Sequence, residues 1–161
     1  MVGQRFDHQT QKKSFTAGDL EPLPCLHAAL FRHLPEFPWC LDGLTQTERQ
    51  ILTLVSNGVS RPGKIFADNM ELESELFIGD WPTYSHISSL CNSRYPLLQC
   101  KSNSTFLHPY DGQISCEQFR EQQLSITTNG KQVLSGQRDA VDLIERDQWL
   151  GGVHIKTGAL M

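Results

Sequence analysis

The sequence predicts an α+β, mainly α fold: a winged-helix-like domain with a small antiparallel sheet. Three observations point there. Two strongly helical segments come first in the chain. They are followed by a short extended stretch, Tyr95-Pro96-Leu97-Leu98-Gln99-Cys100, and later by Leu124 to Leu134, which begins as an alternating strand. In that second stretch Leu124 and Ile126 fall on one face and Ser125 and Thr127 on the other, and Thr128 is a good cap for a following helix. A strand feeding a capped helix is a way to close a wing. Because one fold supports many functions, this pattern speaks to architecture before activity.

The elements follow in chain order. Residues 1–21 are polar, with Gln4, Gln9, Gln11, Lys12, Lys13 and Ser14, and read as a flexible lead-in. The domain is expected over 22–155 and a frayed tail over 156–161. From Leu23 to Phe37, the spacing of Leu26, Leu30, Phe31, Leu34 and Phe37 predicts a helix, with Pro24 in its first turn and Pro35 ending it. Thr45-Gln46-Thr47-Glu48 is a capping box opening a second helix, whose Ile51, Leu52, Leu54 and Val55 stop at Asn57-Gly58. Ser60 and Pro62 start a third, short helix with Ile65, Phe66 and Met70 inward, and the acidic run after it reads as solvated. Asp80 is placed as the cap of a fourth helix, with Trp81, Tyr84, Ile87, Leu90 and Cys91 as its apolar stripe.

Between the two strands, Asn103 to Gln122 is too long for a tight hairpin loop, so the wing is elaborated, with Tyr110-Asp111-Gly112 as a turn and Ile114 to Phe119 as an extra strand. Trp149 to Ile155 reads as a final strand pair or a docked tail, its glycines letting Trp149 fold onto the core. The expected core comprises Leu30, Leu34, Phe37, Ile51, Leu52, Val55, Phe66, Trp81, Ile87, Leu90, Leu98, Ile126 and Leu134.

Composition narrows the function classes. The 161 residues are 39% hydrophobic and 20% charged, enough for one real core. Fourteen Lys and Arg against eighteen Asp and Glu give a net charge of −4, without the basic excess of a protein that grips phosphates non-specifically. No run of apolar residues is long enough to span a membrane, and the first thirty residues lack a secretory signal's apolar centre, so a cytoplasmic protein with no membrane partner is expected. Five cysteines at irregular positions, without C-x-x-C, read as reduced thiols.

The winged-helix reading makes the fourth helix the recognition helix. DNA is then a candidate partner, contacted by Thr83, Ser85, His86, Ser89 and Asn92 on the helix, with Ser88 beside them, and by Arg94, Lys101 and Lys131 around the wing. Local charge opposes this. Between Val59 and Asp80, Arg61 and Lys64 stand against Asp68, Glu71, Glu73, Glu75 and Asp80, and the helix adds no cation before Arg94. Cys25, His27, His33 and Cys40 are zinc-type residues at spacings that do not make a zinc motif. No nucleophile motif or phosphate loop is present, and catalysis through His154 or His86 is a minority reading. No catalytic residue, metal or cofactor is assigned.

Four stretches carry a family resemblance: Leu23-Pro24-Cys25-Leu26-His27-Ala28-Ala29-Leu30-Phe31-Arg32-His33-Leu34-Pro35-Glu36-Phe37-Pro38, Gly43 to Gln50, Phe77-Ile78-Gly79-Asp80-Trp81, and Asp147-Gln148-Trp149-Leu150-Gly151-Gly152-Val153-His154. In their order they resemble the C-terminal region of the uncharacterised bacterial domain-of-unknown-function 1835 family. The resemblance implies no activity. It does imply an α/β domain ahead of this helical segment, which this sequence does not contain, and hence an α/β partner domain or protein as the alternative to DNA.

Overall fold

The computed structural model describes residues 24–74, 77–102, 105–112 and 114–157. The expected lead-in over 1–21 lies outside them. The fold is α+β and mainly α. In chain order the helices are α1 (Pro24–His33), α2 (Gln46–Ser56), α3 (Pro62–Glu71), α4 (Asp80–Asn92), α5 (Cys116–Glu121) and α6 (Thr128–Leu134). The strands form two antiparallel pairs, β1 (Leu98–Cys100) with β2 (Leu124–Ile126), and β3 (Arg146–Leu150) with β4 (Val153–Thr157).

The α2 helix starts where the sequence places it. Thr45 Oγ1 accepts from the Glu48 amide at 3.1 Å and Glu48 Oε2 accepts from the Thr45 amide at 2.9 Å, which completes the capping box. Its buried face carries Ile51, Leu52 and Val55, and the helix ends at Asn57 before Gly58 at φ +98°. Ser60 does not cap α3. Arg61 holds that position and Pro62 opens the helix, while the Ser60 carbonyl accepts from Leu124 N–H at 2.8 Å and so ties the α2–α3 connection to β2.

The α4 stripe departs from the expected one. Gly79, not Asp80, is the N-cap, and Asp80 sits in the first turn with Oδ1 accepting from the Trp81 amide at 2.7 Å. Tyr84, Ile87 and Leu90 are buried as expected, but so is Thr83, with 0% exposure, whereas Trp81 is 56% exposed. At 100° per residue Thr83 lies only about 40° round the helix from Ile87, and Trp81 about 120° away. Thr83 is therefore an inward residue, its hydroxyl donating to the Gly79 carbonyl at 2.9 Å, and Trp81 belongs to the outer face.

The β1–β2 register is Leu98 with Ile126, Gln99 with Ser125 and Cys100 with Leu124. Thr127, one residue before the expected cap, closes the strand onto α6: its hydroxyl accepts from the Gly130 amide and donates to the Pro96 carbonyl at 2.8 Å. Gly130 is required there, because any side chain would collide with the Leu97 carbonyl. In the connection, the expected strand over Ile114 to Phe119 is instead α5, opened by a capping box of Ser115 and Gln118. It drives Phe119 against Tyr84, with ring centroids 4.8 Å apart and edge-on, and so seals the connection onto α4.

The core runs through Leu44, Ile51, Leu52, Ile65, Ile87, Leu90, Leu97, Leu98, Leu124, Val133, Leu143 and Ile144. Leu30 and Leu34, expected within it, are only half-buried, because the inner side of α1 is held by charge. Arg32 donates to both oxygens of Glu73, at 2.5 and 2.6 Å, and to Glu36 at 2.7 Å, while Thr47 donates to the same Glu36 oxygen at 2.7 Å. Glu73 was expected in a solvated acidic run; its side chain is 4% exposed.

The chain closes with the β3–β4 hairpin. Gly151 and Gly152, at φ +52° and +78°, supply the two left-handed residues of its two-residue turn. The turn rests against His33 and Phe37. Lys156 and Thr157, expected in a frayed tail, belong to β4; residues 158–161 lie outside the described set. Trp149 does not fold onto the core: it is 72% exposed and stacks flat on His154, with centroids 4.8 Å apart. Among the described residues, no helix is long and apolar enough to cross a membrane.

Candidate functional site

The outer face of α4, opposite Ile87, keeps Trp81 and Ser89 exposed and has the hairpin for a neighbour. The edge of β3 runs beside it, and the two border an open-sided groove of about 320 Å³ lined by Trp81, Pro82, Ser85, His86 and Ser89 from α4, by Glu145 and the β3 residues Arg146 to Gln148, and by Glu48 at its floor. Three of the five helix residues predicted to contact DNA, Ser85, His86 and Ser89, line this groove. Thr83 faces the core. His86 is turned down to Glu48. Asn92, the fifth, clamps the segment after β1: its amide donates to the Phe106 carbonyl at 3.1 Å and accepts from the Phe106 N–H at 3.2 Å.

The floor is a buried ionic cluster. Arg146 Nη2 donates to Glu48 Oε2 at 2.6 Å with both side chains 4% exposed, and His86 Nδ1 stands 3.9 Å from Glu48 Oε1. Burial alone would raise the Glu48 carboxyl pKa. The Arg146 charge, His86 and the Thr45 amide overcome that and hold it at about 2. Burial would likewise lower His86, but the Glu48 carboxylate outweighs it and the imidazole pKa is raised. The same carboxylate thus caps α2, anchors the hairpin and faces α4. Arg146 Nη1 is buried with no hydrogen-bond partner.

A second constellation mimics a hydrolytic triad. Ser85 Oγ lies 3.3 Å from His108 Nε2, and His108 Nδ1 lies 3.9 Å from Asp111 Oδ1. The proton is on the wrong nitrogen for that chemistry. His108 Nδ1 accepts from the Tyr110 amide at 3.3 Å, which leaves Nε2 as the donor, aimed at the Trp81 carbonyl at 3.3 Å. Ser85 donates to that same carbonyl at 3.0 Å, so Nε2 cannot take its proton. His108 ties the segment after β1 to the start of α4, helped by Tyr110 OH donating to Asp80 Oδ2 at 2.5 Å.

The wing cations do not join the groove. Arg94 lies over the Tyr95 ring, 5.5 Å from its centroid, Lys101 Nζ donates to Gln123 at 3.3 Å, and Lys131 is exposed on α6. His154, the other candidate base, binds Asp147 Oδ1 at 2.6 Å on the outer face of the hairpin. The side chains of Cys25 and His27 fall outside the described residues; His33 packs on Phe37. Among the described residues, no group of three or more His, Cys, Asp or Glu side chains is placed to hold a metal ion.

Sequence reasoning missed Arg146 and Glu145 entirely and read Glu48 only as a cap. Glu48 and Arg146 stand 98 positions apart, and no local spacing links them. No protein-family model, no curated protein and no solved structure matches this chain.

Proposed function

We propose that this chain is a non-catalytic, winged-helix-like module that docks on another protein and works in the cytoplasm. The observation that carries this reading is that the β3–β4 hairpin stands beside the helix face a DNA groove would need, while its own outer face presents Trp149 to solvent. That outer face is ordered: His154 stacks on Trp149 and is held by Asp147, which also pairs with Lys156 at 3.4 Å. Tryptophan is among the side chains enriched at the energetic centres of protein interfaces.

Support for the winged-helix comparison comes from the order α2, α3, α4, β1, connection, β2, with Leu124 N–H adding the α2–α3 connection to the free edge of β2. The carboxylates Glu48, Glu145 and Asp147 around α4 are unsuited to phosphates. Cys91, Cys100 and Cys116 are thiols, in keeping with a reducing compartment. The resemblance to the domain-of-unknown-function 1835 family directs attention to a separate α/β domain or protein as the partner. The test is site-specific photo-crosslinking in cells from position 149 and, as control, from position 138. One dominant adduct with an α/β protein, formed only from 149, is expected; equal labelling from both positions would overturn the reading.

A further inference from the structure

Two cysteines that are far from Trp149 in sequence meet where α4 packs on β1. Cys91 follows Ile87 by one helical turn and so falls on the inward side of α4. Cys100 shares the buried face of β1 with Leu98. Leu97 N–H donates to the Leu90 carbonyl at 2.9 Å, which fixes the start of β1 against the end of α4. In that setting the two side chains hydrogen-bond each other, Cys100 within the apolar core and Cys91 packed against it. Both are free thiols, Cys100 buried and Cys91 half-buried, so solvent comes closest to the pair at Cys91.

The contact divides the labour between the sulfurs. The Cys91 S–H donates to Cys100, which lowers the Cys100 thiol pKa, while the same bond together with burial raises that of Cys91. One sulfur gains thiolate character and its neighbour holds a proton ready to give up.

We propose that Cys91 and Cys100 form a reversible redox-modification site, closed to a disulfide by hydrogen peroxide and reopened by a small thiol. Hydrogen peroxide, little larger than water, is the oxidant suited to a pair set this close to the core. The Cys100 thiolate attacks one peroxide oxygen: an S–O bond forms, the O–O bond breaks, and the departing hydroxide takes the Cys91 proton to become water. The Cys91 thiolate then attacks the Cys100 sulfenic acid: the S–S bond forms, the S–O bond breaks, and the second hydroxide leaves as water with the proton that Cys100 gave to solvent on ionising. Two thiols are oxidised and one peroxide is reduced to two waters. In a reducing compartment such a bond is transient and signals oxidant rather than serving as a permanent staple. While closed, it pins the end of α4 to β1 through a short loop.

The test treats the reduced full chain with a small excess of hydrogen peroxide, then alkylates free thiols and maps the peptides by mass. A Cys91–Cys100 crosslink is expected as the dominant product, with loss of two hydrogens from the chain and full reversal by dithiothreitol. The thermal midpoint of the oxidised chain should rise by roughly 5 °C or more. Cys116, exposed on α5, is the internal standard for oxidant reaching the protein. Cys91→Ser and Cys100→Ser should each abolish the loss of two hydrogens, and Cys116→Ser should leave it unchanged. A dose that oxidises Cys116 while Cys91 and Cys100 both remain open to alkylation after unfolding would overturn the proposal, as would a dominant crosslink between any other two cysteines. The mapping is done on the parent chain, so it decides the matter even where a serine variant folds poorly.

Discussion

At the scale of single residues, Glu48 holds the most consequences. Its oxygens complete the α2 cap, receive Arg146 and face His86, so removing its charge strands a buried guanidinium. Glu48→Gln retains a cap acceptor but breaks the ion pair, and should cost about 3–5 kcal/mol in urea unfolding, as removal of one partner from a buried pair does. The sign of the pH dependence follows from the shifts. Glu48 is lowered from 4.5 to about 2, so its contribution is complete above pH 4.5 and is lost as pH falls toward 2. His86 is raised above 6.5, so its contribution is complete below that value and fades as pH rises through the raised one. Chemical unfolding at a series of pH values should show both limbs in the parent and lose the acid limb's Glu48 part in Glu48→Gln. The cap was legible in Thr45-Gln46-Thr47-Glu48; the pair was not, since Arg146 is distant in sequence and reads as one more polar strand residue.

At the scale of elements, success and failure both trace to local chemistry. Second-helix limits could be read because a capping box and an Asn-Gly stop are short-range signals. Mistaking α5 for a strand came from weighing the apolar Ile114 and Phe119 over Ser115 and Gln118, whose reciprocal bonds decide the matter. Ser115→Ala should therefore destabilise by about 1 kcal/mol and expose Phe119, seen as faster hydrogen exchange confined to α5 and the segment after β1. Gly130→Ala should cost more, about 1–3 kcal/mol, since the added methyl meets the Leu97 backbone, which cannot yield without disturbing β1. For α4, the error of placing Trp81 inside came from favouring the larger apolar residue over the helical angle. Thr83 satisfies its hydroxyl within the helix and can be buried, while Trp81 is needed at neither Tyr84 nor Ile87.

On the scale of the whole molecule, the mainly α, α+β class and the β1–β2 pair were legible because alternation and helical spacing are local. What lay beyond reach was where the hairpin would go. Its turn glycines announce a strand pair, but its seat beside α4 depends on Arg146 finding Glu48, on Ile155 entering the interior and on the turn meeting His33 and Phe37. That placement makes a helix face with the polarity of a DNA reader one wall of an open-sided groove lined by carboxylates on the other. It also leaves the exposed cations Arg94, Lys101 and Lys131 outside the groove lining, on a chain of net charge −4.

The most direct test of a docking module that does not read DNA is a fluorescence-anisotropy titration of the full chain against a mixed-sequence duplex at low and near-physiological salt. The account predicts no binding at either salt, and no change on charge reversal at Arg94, Lys101 and Lys131. Salt-sensitive binding at micromolar concentrations or tighter, weakened by that triple reversal, would contradict it and return the wing to the role of a DNA contact.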